Sequence, residues 1–385
     1  MEKNNIGKLL AVLVGFFVMG FVDIVTISTS YVKNDFNLND TVANILPFAV
    51  FLWFALISIP TGLLMGRIGR RKTVLLSYAV TAIGMMLPVT SYTLPVVMAA
   101  FALLGIGNTI LQVSLNPLLM NVVPQDKLTS NLTLGQFFKA VCSSLGPIIV
   151  GAASAYLGNW KLIFPLYVII TILSFIWLSL TPIYDEVKTT SVSNVRSLFR
   201  DSRIMLFFSV IVLIVGYEIG LVSAIPKYLN ERCGLTLDQG ALACSLYYIA
   251  RTIGTFLGAI LLARISAKHF FVWSMFIAIA AFAGIMVTSN VWVISTSLFV
   301  VGLACASVFA IVFGMAMQHN PQKANQISAL MITGVAGGAL IPPVMGVIAD
   351  RSSQMTSLTV PLLCLVYILF VSIFLTYNKK TKLLQ

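Results

Sequence analysis

Apolar residues in this chain come in long, nearly unbroken runs, and polar residues are confined mainly to the short stretches between them. A helix needs about 20 apolar residues to cross the hydrocarbon core of a bilayer. Twelve runs of that kind can be marked, roughly at 8–30, 42–65, 73–91, 93–122, 131–155, 162–182, 203–227, 238–263, 268–287, 290–316, 325–350 and 355–377. The longest polar connection, 183–202, separates six runs from six. The expected organisation is therefore an N-terminal six-helix bundle at 1–182, a cytoplasmic linker at 183–202 and a C-terminal six-helix bundle at 203–385.

The two halves also resemble each other at an offset of 195 to 197 residues. Gly62-Leu-Leu-Met-Gly-Arg-Ile-Gly69 sits opposite Ala259-Ile-Leu-Leu-Ala-Arg-Ile-Ser266, Gly105 faces Gly302, and Pro147 with Gly151 faces Pro342 with Gly346. Parallel internal repetition of six helices is the architecture of transporters whose substrate sits near the midplane and whose halves rock about it. The fold class expected is an all-α membrane protein of twelve transmembrane helices, in two six-helix bundles related by pseudo-two-fold symmetry.

Composition agrees with this. Among 385 residues, 59% are apolar and 9% charged, too little polar surface for a soluble domain of this size. A net charge of +12 would suggest nucleic acid if it were clustered on a surface, but its placement argues otherwise. With the N-terminus inside, 17 of the 24 Lys and Arg fall in tails or loops on that side, five fall outside (Lys33, Lys161, Lys227, Arg232, Arg351), and Lys139 and Arg251 lie within spans. That bias places both termini in the cytoplasm; the membrane expected is a bacterial-type inner membrane. The five cysteines show no metal-ligand spacing, and no cofactor is expected.

Against this background a few polar side chains stand out at membrane depth. Asp23 lies in the first run, and burying an ionised carboxylate costs several kcal/mol or more without a partner, so it marks a functional site. Glu218 occupies the matching place in the seventh run, since 218 minus 195 is 23. The cations at the same depth are Lys139 and Arg251, and both pairings with the two acids stay open. In the fourth run Asn108, Gln112 and Asn116 recur at i, i+4 and i+8 on one helix face, ahead of a proline at 117 that frees a backbone carbonyl. Amides supply donors and acceptors alike, which suits a polyhydroxylated ligand; the competing role is hydrogen bonding between helices. The fifth run carries Gly135, Gln136, Lys139, Cys142, Ser143 and Gly146 on a small, polar stripe, and the eighth carries Tyr247, Tyr248 and Arg251. Aromatic rings beside a guanidinium could stack on a sugar ring while the Arg binds hydroxyls or a carboxylate; alternatively the Arg neutralises Glu218.

Together these residues resemble the major facilitator superfamily. The stretch GLLMGRIGRRK at 62–72 is similar to its signature loop between the second and third helices, which implies a cytoplasmic gate formed by Gly62, Arg67, Gly69, Arg70 and Arg71. Gly66 stands where many members place an Asp, a departure from the charge-relay form of that gate. Within the superfamily the chain resembles the fucose:proton symporter family, which includes glucose/galactose transporters, through Leu111–Pro117, Leu132–Gln136 and, most specifically, Ala336–Asp350. The resemblance implies proton coupling at Asp23, with Glu218 either sharing the proton or pairing with Arg251. It departs at Val22, where the family usually has Asn, at Gln112, where the fucose carrier has a second acid, and at Lys139, where the pattern shows Asn.

The function expected is a monomeric secondary transporter, not an enzyme, that imports a monosaccharide by proton symport. Its substrate-binding candidates are Asn108, Gln112, Asn116, Gln136, Lys139, Tyr248 and Arg251. Its partners are the sugar, a proton and the lipid bilayer, with no nucleic acid. Three alternatives remain: an acidic sugar held by Lys139 and Arg251, sodium as the coupling ion with Thr26 one turn from Asp23, and a sensor that binds sugar without moving it.

Overall fold

The computed structural model describes residues 3–38, 42, 45–184 and 197–377. Most of the expected linker and the basic C-terminal tail lie outside the described residues, as do the side chains of Thr26 and Ile27. Among the described residues there is no strand, and twelve helices are long and apolar enough to cross a membrane. They are α1 (Ile6–Asp35), α2 (Leu46–Ile68), α3 (Arg70–Thr90), α4 (Leu94–Leu119), α5 (Gln125–Leu157), α6 (Trp160–Leu180), α7 (Ser202–Cys233), α8 (Leu242–Leu262), α9 (Ala267–Val287), α10 (Val291–His319), α11 (Pro321–Arg351) and α12 (Gln354–Tyr377).

Each helix corresponds to one of the twelve apolar runs, but several outlast their run. The seventh run ends near 227, whereas α7 continues to Cys233, where Gly234 adopts a φ of 68° and closes it. Backbone hydrogen bonding does not stop when side chains turn polar; it stops at a residue free to take the left-handed conformation. Gly158, with φ of 64°, ends α5 the same way.

Among the described residues four helices are interrupted. α1 tightens into a 3₁₀ turn at Gly20–Asp23, α10 breaks between Cys305 and Val308, α11 passes through a 3₁₀ stretch at Gly334–Ala339, and α12 turns at Leu358 before resuming at Thr359. By contrast, α7 runs without interruption through Glu218.

The chain divides into two compact units. One comprises Met1–Leu128, Phe138–Arg200 and Met317–Thr333; the other comprises Thr129–Phe137, Asp201–Ala316 and Gly334–Gln385. Aromatic side chains fill each interior, among them Phe16, Phe101 and Phe164 in the first unit and Tyr217, Phe271 and Phe282 in the second.

Within each unit, glycines bring the same pairs of helices together. A Cβ at Gly20 of α1 would stand 2.7 Å from the Lys139 carbonyl of α5, and one at Gly216 of α7 would stand 2.9 Å from the Gly337 carbonyl of α11. Likewise a Cβ at Gly105 of α4 would stand 2.5 Å from the Val50 carbonyl of α2, and one at Gly302 of α10 would stand 2.8 Å from the Tyr247 carbonyl of α8. Small residues allow such backbone approach in lipid, where packing rather than water expulsion holds helices together. The internal repeat read from the sequence is thus reproduced as a repeat of contacts.

At one end of the first unit a polar and aromatic cluster ties α1 to the α3–α4 and α5–α6 turns. The Asp35 carboxylate accepts from the Tyr92 hydroxyl at 2.7 Å and from the Trp160 indole N–H at 3.0 Å. The Lys161 ammonium lies 4.0 Å above the Tyr92 ring, and Tyr31 stacks on Trp160. Burial first, and the Asp35 hydrogen bond next, push the Tyr92 hydroxyl well above its ordinary value of 10.0.

Two predictions follow from this packing. Gly20→Ala and Gly216→Ala each lower the melting temperature in detergent, since overpacking of this kind costs about 1–3 kcal/mol. Gly346→Ala, whose Cβ meets no atom within 4 Å, leaves it unchanged. The folded chain also keeps the Tyr92 proton at a pH where the unfolded chain loses it. Stability from this group is therefore present below about pH 10 and declines as pH rises above it. Melting curves from about pH 8 to 11 should decline less steeply in Tyr92→Phe than in the wild type.

Candidate functional site

In the first unit the site is built around the break in α1. A 3₁₀ turn replaces the regular i to i−4 bonding at Gly20–Asp23, and the carbonyl just before it, that of Met19, accepts from the Asn108 side chain at 2.7 Å. Gln112 then donates to the Asn108 side-chain oxygen at 2.7 Å, and Asn116 donates to the Gln112 carbonyl at 2.7 Å. All three amides are under 5% exposed. The predicted polar face of α4 is therefore a hydrogen-bonded ladder that braces the α1 break, and these donors are taken by protein acceptors. Of the three bonds only that of Asn108 crosses to another helix; those of Gln112 and Asn116 lie within α4.

Asp23 is partly exposed at the end of the break. Its carboxylate is hydrogen-bonded to the Ser143 hydroxyl of α5, which also lies 2.9 Å from the Lys139 carbonyl one turn earlier. Cys142 lies within electrostatic reach of both Asp23 and Lys139, and Tyr167 of α6 is its hydrogen-bond partner. The Tyr167 ring stacks on Phe21 at 3.7 Å between centroids. The α5 side of the acid is taken by Ser143. Ser143 was legible as part of a polar stripe but not as the partner of Asp23. The i, i+4 spacing from Lys139 was the available signal.

In the second unit the open question of pairing has a direct answer. Arg251 of α8 binds Glu218 of α7 at 2.6 Å, with side chains 31% and 16% exposed respectively. Tyr247 is buried beneath the pair, while Tyr248 is 42% exposed, its ring edge-on to that of Tyr247 at 5.8 Å. Gln136 belongs to this unit too and is partly exposed.

The gate candidates lie together at the α2–α3 turn in the first unit. Gly69 has φ of 92°, a conformation open to glycine, and caps α3. Gly62 lets α2 approach α11, where a Cβ would stand 2.6 Å from that of Ala329. Arg70 reaches three elements: Asn325 of α11 at 2.8 Å, the Pro117 carbonyl of α4 at 3.0 Å, and Asn121 at 2.6 Å. Arg71 binds the Leu178 carbonyl at 3.2 Å, and Arg67 is exposed. The carbonyl released by Pro117, that of Val113, accepts from Ser328 of α11 at 2.7 Å. With Gly66 in place of the usual acid, amide oxygens and carbonyls hold Arg70. Asn121, Asn325 and Ser328 were not among the residues singled out from sequence, because their neighbours in space lie up to 255 residues away.

A twelve-helix, multi-pass membrane protein with repeated halves and one acid at depth in each repeat has the features of a membrane transporter. The sequence profile of the Major Facilitator Superfamily matches residues 11–343 and again 206–384. The chain belongs to the Major Facilitator Superfamily. It is 26% identical to a glucose/galactose transporter of Brucella abortus biovar 1 (strain 9-941), over 96% of this chain and 94% of that protein. Its fold is similar to the crystal structure of FucP, a Major Facilitator Superfamily transporter, in the outward conformation. The TM-score is 0.85 at 19% identity, covering 97% of this chain and 99% of that one. A variant of the E. coli fucose:proton symporter FucP gives a TM-score of 0.84 at 18% identity, with the same coverage. These relatives are transporters and not enzymes.

The Arg70 contacts carry their own prediction. In a double-mutant cycle of Arg70→Ala and Asn325→Ala followed by thermal unfolding, the two changes should be non-additive by about 1 kcal/mol, as expected for direct partners. Additivity would show that this hydrogen bond contributes nothing to holding α11 against α3.

Proposed function

We propose that this protein is a secondary active transporter that imports a neutral monosaccharide by proton symport, through alternating access. It works as a monomer in a bacterial-type inner membrane, with both termini cytoplasmic. The basic-residue bias supports that orientation, and the sugar class is supported by the glucose/galactose transporter of Brucella and by FucP. The organisation into 1–182 and 203–385 around a linker at 183–202 belongs to the same reading.

One observation carries the coupling role: Asp23 ends a helix break and shares a hydroxyl that has a second acceptor within reach. When Asp23 is ionised, Ser143 donates its proton to the carboxylate. When Asp23 is protonated, the acid donates to Ser143 Oγ, and the serine proton turns to the Lys139 carbonyl 2.9 Å away. Both protonation states then find a complete set of hydrogen bonds, so a proton can be taken up and released at depth without stranding a donor.

Glu218 has a different part. Its bond to Arg251 offsets charge on both partners and sets a guanidinium beside Tyr248, whose partly exposed ring offers a stacking surface for a sugar. This neutralisation favours a neutral sugar over a uronate or sialic acid. Gln136 and Lys139 supply further polar contacts, and Asn108, Gln112 and Asn116 act mainly by bracing α1. The Gly62, Arg67, Gly69, Arg70 and Arg71 segment closes the cytoplasmic end.

The test is uptake of glucose, galactose and fucose into proteoliposomes under a pH gradient or a sodium gradient alone. Asp23→Asn should abolish accumulation driven by the pH gradient while leaving sugar exchange measurable. Arg251→Met should weaken sugar binding about tenfold or more, as expected when a charged hydrogen-bond partner is lost. Accumulation by Asp23→Asn, or uptake that follows sodium alone, overturns proton coupling at this residue.

A further inference from the structure

Away from the Glu218–Arg251 pair, the second unit contains a pocket of about 260 Å³ where α7, α11 and α12 meet. Lys227 lies nine residues beyond Glu218, which on a helix is about 13 Å farther along the axis and about half a turn round it. Ser223, Lys227, Gly346, Asp350, Gln354 and Ser357 all line this space.

The wall is partly polar, and Ser223, Lys227, Gly346 and Asp350 are all exposed on it. Among the described residues, the Lys227 ammonium, the Asp350 carboxylate and the Gln354 side-chain amide take no hydrogen bond or ion pair from the protein, and Lys227 and Asp350 do not pair with each other. The Ser223 and Ser357 hydroxyls donate back to the carbonyls of Gly220 and Gln354, which leaves their lone pairs as acceptors. At Gly346 the wall has no side chain, and a Cβ there meets nothing within 4 Å.

We propose that this pocket is a second binding subsite for a neutral monosaccharide, a capture site on the outer side that is distinct from the site at Glu218 and Arg251. The inference rests on the sugar-transport reading and on the outward placement of the α11–α12 turn. A hydroxyl both donates and accepts, so one polyol can accept from the ammonium and the amide and donate to the carboxylate without bringing a net charge. The volume lies just under the range of roughly 300–1,000 Å³ typical of ligand pockets, which suits one sugar ring and not two. Because the pocket's own cation and anion offset each other, capture of a neutral sugar there should depend little on salt.

The experiment uses the full chain in proteoliposomes, with labelled glucose and galactose under an inward pH gradient. Gly346→Gln fills the pocket, and Lys227→Gln with Asp350→Asn removes the charged contacts. The KM for uptake should rise about tenfold in Gly346→Gln and in the double variant, with the maximal rate kept within about twofold. Melting temperatures equal to the wild type show that the variants are folded.

An unchanged KM in both variants, with the wild type transporting sugar, overturns the subsite alone. A fall in maximal rate at constant KM overturns it as well, because that result marks a part of the moving structure and not a place of capture. Competition by excess glycine in the wild type but not in Gly346→Gln overturns the assignment to sugar in favour of a zwitterion. Failure of the wild type to take up glucose, galactose or fucose overturns the transport reading, and the subsite with it.

Discussion

Hydrocarbon offers no hydrogen bonds, so a polar group that a membrane helix releases has to find its partner inside the protein. Three such releases organise this molecule. The α1 break leaves the Met19 carbonyl to Asn108, Pro117 leaves the Val113 carbonyl to Ser328, and Pro226 leaves the Val222 carbonyl to Cys244 at 3.3 Å. In each case the donor comes from a different helix. An irregularity in one helix therefore becomes a bond to another, and the irregularities lie where helices must be held in register. The amide ladder of α4 is the longest expression of this rule. It carries the requirement set by the α1 break along two turns of a neighbouring helix.

The same rule applied to charge separates the two acids. Glu218 is answered by a full countercharge, the Arg251 guanidinium, beside an exposed tyrosine. Asp23 is answered by a hydroxyl with a second carbonyl in reach, a partner that can reverse the direction of its bond. Equivalent positions in two repeats have thus acquired different chemistry through their neighbours on α5 and α8. The side-chain type at the position itself differs by only one methylene.

Much of the architecture was legible because a bilayer imposes a length and a composition on each span. The twelve helices, the internal repeat and the depth of Asp23, Glu218, Lys139 and Arg251 follow from those constraints. The interruptions at Gly20–Asp23 and Gly334–Ala339 were not legible, because glycine is as common at close helix contacts as at breaks, and both uses occur here within a few residues. The use of Asn108, Gln112 and Asn116 was legible only as a choice between ligand and helix, since spacing reports a shared face and not what lies opposite. The partners of Arg70 could not be found at all. Asn325 and Pro117 are remote in sequence, and Gly66 removes the acid that would have pointed to a conventional arrangement.

The contrast between a broken α1 and an unbroken α7 has a mechanical meaning. A 3₁₀ turn is a place where a helix can change its winding at little cost, because one set of backbone bonds has already been exchanged for another. Asp23 ends such a turn, whereas Glu218 sits in a continuous rod of 32 residues. The two repeats thus set their acids in different backbone, one at a short 3₁₀ turn and one within a regular helix. A change of winding at that turn involves only the four residues Gly20–Asp23, whereas none is available at Glu218 without breaking the regular bonding of its helix.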